Sequence, residues 1–148
     1  MRLSTKAQYA VRALVSLNLA SGGNPITIKE ISEREKISLT YLEQLFVKLR
    51  RGQIVKSVRG PGGGYLLARA ADQIRVDQII DTVEEILVPV SCMNDDGSCG
   101  CDLECATQSV WQGLGNQIRT FLASMTLEDL SKEARCRLDQ RFRGQVCI

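Results

Sequence analysis

The chain has 148 residues, 44% of them hydrophobic and 24% charged, enough for one compact domain with an appended element. It contains no histidine, which removes histidine-dependent triads, HExxH zinc hydrolysis and histidine acid–base catalysis from consideration. The net charge of +2 conceals a division: residues 1–75 carry 13 Lys and Arg against 5 Asp and Glu, giving +8, and residues 76–148 carry 6 against 12, giving −6. A basic half suits a polyanion, and an acidic half some other task.

In the first twenty residues Tyr9, Ala10, Ala13, Leu14 and Leu17 share a face, with Lys6 and Arg12 off it, predicting a packing helix. The run ALVSLNLA is too interrupted, by Ser16 and Asn18, for a signal peptide, and no apolar run approaches a membrane span. A cytoplasmic protein with no membrane association is expected. Ser21-Gly22-Gly23-Asn24-Pro25 breaks the helix, and Thr27 with Glu30 makes a capping-box pattern opening a second one to about Arg34. A short turn through Lys36 and Ile37 leads to Ser38, a good N-cap for a recognition helix over residues 38–50.

In that helix Leu42, Leu45, Phe46 and Leu49 recur at the spacing of a core-facing stripe. The opposite face carries Thr40, Gln44, Val47 and Lys48, with Glu43 the one acidic exception. Short hydroxyl and amide side chains on such a face suit entry into a major groove. Residues 54–58 and 65–67 favour strands, and Arg59-Gly60-Pro61-Gly62-Gly63-Gly64 between them predicts a hairpin, the wing, over 54–67. Glycines allow a close backbone approach to nucleic acid, and Arg59 suits a narrow minor groove. The turn alone would equally suit an ordinary surface hairpin. It is not a dinucleotide fingerprint, since G-x-G-x-x-G requires glycine where Tyr65 stands.

Val76, Ile79, Ile80 and Val83 predict a further helix to about Ile86, ended by Pro89, which closes a winged helix-turn-helix domain over residues 1–86. Residues 87–105 read as a loop with the spacing Cys92-x6-Cys99-x-Cys101-x3-Cys105. Clustered thiols in a reducing compartment are metal ligands or redox groups more often than disulfides. Two C-x2-C-like pairs are absent, which favours an iron–sulfur cluster over structural zinc, with disulfide or free-thiol sensing as the alternative. Trp111, Leu114, Ile118, Phe121 or Leu122, and Met125 then follow a three-four rhythm, predicting a long helix that pairs with its twin or folds back on its own domain. Residues 106–134 are assigned to this dimerisation helix and a short last helix marked by Leu127 and Leu130. Residues 135–148 are read as a flexible charged tail in which Cys136 and Cys147 are ordinary exposed thiols. The fold class is mainly α with a small β-hairpin wing.

MRLSTKAQYAVRAL, ISLTYLEQLF, VRGPGGGYLL and the cysteine loop ahead of a Trp-bearing helix together resemble the IscR-like winged-helix regulators, the group that includes NsrR and RirA, over roughly residues 1–130. The resemblance implies a cytoplasmic bacterial transcription factor, a homodimer on a pseudo-palindromic promoter operator in double-stranded DNA, acting as a repressor or an activator under control of an iron–sulfur cluster. It places cluster ligands at Cys92, Cys99 and Cys105, and DNA contacts at Ser38, Thr40, Tyr41, Gln44 and Arg59, to which the helix face adds Lys48. Some members use a histidine three residues past the last cysteine, where this chain has Gln108; others use a carboxylate of the partner subunit at the position of Gln8. Neither amide is a good iron ligand, so Cys101 becomes the candidate fourth ligand. A 2Fe–2S cluster is favoured, with 4Fe–4S as its alternative. The competing expectation is a cluster-free regulator of the same family responding to thiol oxidation or zinc. An electron carrier or iron–sulfur enzyme lacks any visible general base.

Overall fold

The computed structural model describes residues 4–83 and 106–143. Helix α1 (Thr5–Ser21) begins at Ser4, whose hydroxyl accepts the Lys6 and Ala7 amides at 3.1 and 3.4 Å, and ends at Gly22 in the left-handed region, φ 47°. Helices α2 (Ile28–Glu35) and α3 (Leu39–Arg51) follow, then an antiparallel hairpin of β1 (Val55–Val58) and β2 (Gly64–Leu67) in the register Val55↔Leu67 to Val58↔Gly64. A 3-10 turn at Ala71–Gln73 leads to α4 (Val76–Val83), and α5 (Gln108–Ser124) and α6 (Leu127–Arg143) complete the described chain. The expected mainly helical fold with a hairpin wing is observed.

One apolar core joins these elements: Leu14 and Leu17 of α1, Ile31 of α2, Leu42, Phe46 and Leu49 of α3, Ile79 of α4 and Leu127 of α6 are each fully buried. Each such side chain contributes about 1.5–3 kcal/mol of transfer free energy. A smaller cluster of Ala7, Val76 and Ile80 receives Leu122 and Met125 from the end of α5 and Leu130 from α6. The backbone makes a clasp here, with the Val76 amide donating to the Met125 carbonyl at 3.0 Å and the Leu127 amide to the Ile74 carbonyl at 2.8 Å. Next to it, buried Asp77 accepts both arms of the Arg75 guanidinium at 3.0 and 2.9 Å and the Gln78 amide at 2.9 Å, so its charge is paired.

Two expectations for the C-terminal region are corrected. The last helix is not short, nor does a tail begin at residue 135: α6 runs 17 residues to Arg143. A capping box starts it, in which Thr126 donates its amide to Asp129 at 2.9 Å and its hydroxyl accepts the Asp129 amide at 3.2 Å. Asn18 on α1 then anchors it, donating to buried Ser131 at 2.8 Å and to Glu128 at 3.3 Å, while Arg135 pairs with Glu128 and Arg137 with Glu133 along the exposed side. Cys136 is accordingly helical and half-buried rather than an exposed thiol in a tail.

Candidate nucleic-acid interface

Helix α2 is short and polar, and its ends are therefore fixed by side chains. The Thr27 amide donates to Glu30 at 2.8 Å and the Glu30 amide donates back to the Thr27 hydroxyl at 3.2 Å, a reciprocal cap. These hydrogen bonds from the Thr27 backbone and side chain hold the Glu30 carboxyl below its ordinary value. At the other end Arg12 of α1 donates to the Glu35 carbonyl at 2.8 Å and pairs with the Glu35 carboxylate at 3.2 Å, placing a cation on the negative end of α2. Lys36 turns the chain in the left-handed region, φ 56°, and the Ser32 hydroxyl donates to the Ile37 carbonyl at 2.6 Å. The tight link between α2 and α3 is thus over-determined, as orientation of a reading helix requires.

Helix α3 buries Leu42, Leu45, Phe46 and Leu49 and exposes Thr40, Glu43, Gln44 and Lys48, with Val47 40% exposed beside them and Ser38 exposed just ahead of the first turn. Ser38 is the N-cap residue but makes no side-chain cap hydrogen bond. No acidic residue occupies the first turn, so the positive end of the helix is not neutralised from within and suits a phosphate. Tyr41 is half-buried, its ring edge-on to Tyr9 at 5.7 Å, and Tyr9 in turn lies beneath the Arg12 guanidinium at 5.6 Å. Lys48 points to the domain's own backbone as well as to solvent: its Nζ donates to the Val83 carbonyl at 3.3 Å. One turn further on, a Cβ at Gly52 would lie 2.5 Å from the Thr82 Cγ2. The end of α3 is therefore fitted against the last described turn of α4, a packing relation that the helical periodicity did not disclose.

The wing is attached to the same frame. The Tyr65 amide donates to the Ile26 carbonyl at 2.7 Å and the Ile26 amide to the Tyr65 carbonyl at 3.0 Å, so the α1–α2 linker adds a bridge beside β2. Gly64 is needed at this contact, since a Cβ there would strike the Ile26 carbonyl oxygen at 2.5 Å. The Tyr65 ring packs against Phe46 of α3 at 4.9 Å, which ties wing and recognition helix into one surface. Arg59 sits exposed at the start of the wing turn and forms no ion pair with a described residue.

Ser38, Thr40, Gln44 and Arg59 are thus exposed residues of elements packed on one another, with Tyr41 half-buried and Lys48 bonded to the Val83 carbonyl beside them. Ile26, Arg12 and the Thr126 cap were not anticipated; only the last carried a sequence signal, the spacing Thr126-x-x-Asp129. Cys92, Cys99, Cys101 and Cys105 lie outside the described residues. Among the described residues no group of three Cys, Asp or Glu side chains could hold a metal ion. No helix of the described residues is long and apolar enough to cross a membrane.

A helix-turn-helix with a docked wing defines the winged-helix class of regulators. The chain belongs to the Rrf2 family, described as iron-dependent transcriptional regulators, whose profile matches residues 3–133. It is 48% identical to the HTH-type transcriptional regulator IscR of Sodalis glossinidius over 130 residues, 88% of this chain and 78% of that protein. Identity to IscR of Xenorhabdus nematophila is 46% over 132 residues, 89% and 80% of the two chains. Among solved structures, IscR of T. potens superposes with a TM-score of 0.75 at 37% identity, covering 90% of this chain and 88% of that one. CymR, the global cysteine regulator of B. subtilis, superposes with a TM-score of 0.77 at 33% identity, covering 90% and 98%. The chain is a transcriptional regulator by this kinship.

Proposed function

We propose that the chain is a cytoplasmic, homodimeric DNA-binding regulator whose grip on a promoter is controlled by an iron–sulfur cluster held through Cys92, Cys99 and Cys105, with Cys101 as fourth ligand. The observation that carries this is the joining, in one chain, of a locked helix-and-wing surface to four thiols within residues 92–105. Soft thiolate donors fit an iron–sulfur cluster, and no competing donor group exists among the described residues. When bound, such a cluster supplies a redox-active centre that is also sensitive to iron supply; 2Fe–2S is favoured over 4Fe–4S.

The chain's own residues do the rest. Thr40 and Gln44 face base edges, Ser38, Tyr41 and Lys48 contact phosphates or hold the helix against them, and Arg59 enters the minor groove. Residues 1–86 form the reading domain, and α5 supplies the dimer contact through Val110, Leu114 and Phe121, which are 60%, 41% and 63% exposed. Residues 87–105 connect α4 to α5, so their state reaches α3 through the Lys48 and Gly52 packing and reaches the dimer through α5. Two operator half-sites related by a two-fold axis are the matching DNA.

Anaerobic purification with iron, sulfide and optical analysis, followed by operator titration of the filled and emptied forms, tests this. A coloured protein whose two forms differ in operator affinity is expected, and equal affinities sink the proposal. Cys101→Ala is expected to lose or destabilise the cluster; full retention removes Cys101 from the ligand set only.

A second reading is a cluster-free regulator in which the cysteines respond by oxidation or bind zinc. The likeness to CymR, a global cysteine regulator, favours it. Colourless, iron-free protein that still occupies its operator, with zinc or reversible disulfide formation found instead, decides for this reading.

A further inference from the structure

Val47 sits in the middle of α3 with 40% of its surface exposed, and it packs into neither apolar cluster of the domain. Folding does not account for it there. A β-branched residue loses side-chain freedom in a helix, and an exposed mid-helix position is better filled by Ala, Lys, Gln or Glu. Its placement does correspond to the exposed polar residues. At 100° per residue, Thr40, Gln44 and Val47 fall within about 60° of one another on the helix, so all three project from the same stripe. Leu42, Leu45, Phe46 and Leu49 are buried on the other side. The stripe therefore offers a hydroxyl, an amide and a pair of methyl groups in succession.

The one apolar group that a base pair presents in the major groove is the thymine C5-methyl. We propose that Val47 is a specificity-determining residue that packs its methyl groups on a thymine methyl, next to the base pair addressed by Gln44; this deepens, and rests on, the DNA-binding reading above. Val47 lies three residues beyond Gln44, about 4.5 Å along the helix axis at 1.5 Å per residue. Base pairs along one strand are spaced by about 3.4 Å. The thymine accordingly falls one to two base pairs from the Gln44 contact.

The test begins by selecting binding sequences from a random duplex pool with the purified full-length protein. Each thymine of the selected operator is then replaced singly by uracil, which removes the methyl and leaves every hydrogen-bonding group in place. For the wild type, one thymine per half-site is expected to lose about four-fold in affinity when the methyl is removed, the transfer value of one buried methyl group. In Val47→Ala the thymine and uracil duplexes are expected to bind equally at that position, while sensitivity at other positions is unchanged. Val47→Ala improves helix propensity at an exposed site, so misfolding does not confuse the result. A selected operator with no methyl-sensitive position, or one whose sensitivity survives in Val47→Ala, overturns the assignment of Val47 alone. A pool that yields no enriched sequence overturns the DNA-binding reading, and this assignment with it.

Discussion

Glu30 and Asp129 begin helices far apart in sequence by the same device, a carboxylate that accepts from the backbone amide and hydroxyl of the threonine three residues before it. Both carboxyls are held below their ordinary values of 4.5 and 3.8, chiefly by the hydrogen bond from the threonine backbone. The Glu128 carboxyl is lowered as well, first by Arg135 and then by Asn18. A depressed folded value means that the ionised form is favoured in the native state, so the stabilisation is fully present above the ordinary value and is lost as pH falls through the folded one. Urea midpoints are therefore expected to hold steady from neutrality to about pH 5 and to decline below it. Replacing Glu30 by Gln and Asp129 by Asn together removes the titrating carboxylates and should lower the neutral-pH midpoint and flatten that acid limb. An unchanged acid limb in the double variant would place the titrating groups elsewhere. Thr27 with Glu30 was readable from the sequence because a capping box is a local pattern. Arg12 over the Glu35 carbonyl was not, since nothing at either position announces a partner 23 residues away.

The helices are legible from sequence where their apolar stripe is strong. In α3 the four core positions and the exposed polar face are those that the spacing indicates, and in α1 the buried Ala10, Ala13, Leu14 and Leu17 likewise. Helix α6 was misjudged because, after Leu127, charged residues dominate it. Its attachment depends on Asn18 reaching Ser131 and Glu128 from α1, a polar contact between residues more than a hundred positions apart. The seam foreseen for α5 divides into two: Leu122 and Met125 pack on the helix's own domain, whereas Leu114 and Phe121 stay exposed. Periodicity locates such a stripe but cannot tell which half meets which neighbour. The fit of α3 against α4 carries its own prediction. Gly52 has an ordinary φ of −78°, so backbone strain is not at issue; Gly52→Ala should cost about 1–3 kcal/mol through collision with Thr82. Thr82→Ala in the same chain removes the obstructing methyl and should recover part of the loss. Additive losses in chemical denaturation of the single and double variants would refute that account.

At the scale of the whole molecule, the basic first half suits a surface for DNA and the acidic remainder a separate task. None of the residues of α5 is buried in the single chain, although Val110, Leu114 and Phe121 are large and apolar. Leu114→Asp together with Phe121→Asp is expected to shift sedimentation from dimer to monomer and to weaken operator binding steeply, while helicity by circular dichroism changes little. A wild type that sediments as a monomer at micromolar concentration would remove α5 as the dimer contact. The helix and its wing could be anticipated because helical periodicity and a Gly-rich turn are written locally; the cysteine loop offers only a chemistry, because thiol spacing does not specify what is bound.

The clasp between residues 74–76 and 125–127 has a mechanical consequence. It fastens α5 to the reading domain at one extremity, and the opposite extremity, at Gln108, follows Cys105 by three positions. With 17 residues α5 is about 25 Å long, so a tilt of about 10° about that fulcrum sweeps its distant tip through roughly 4 Å. The helix is geared like a crowbar: a displacement of several ångströms at Gln108 arrives at the fastened end as a much smaller rotation.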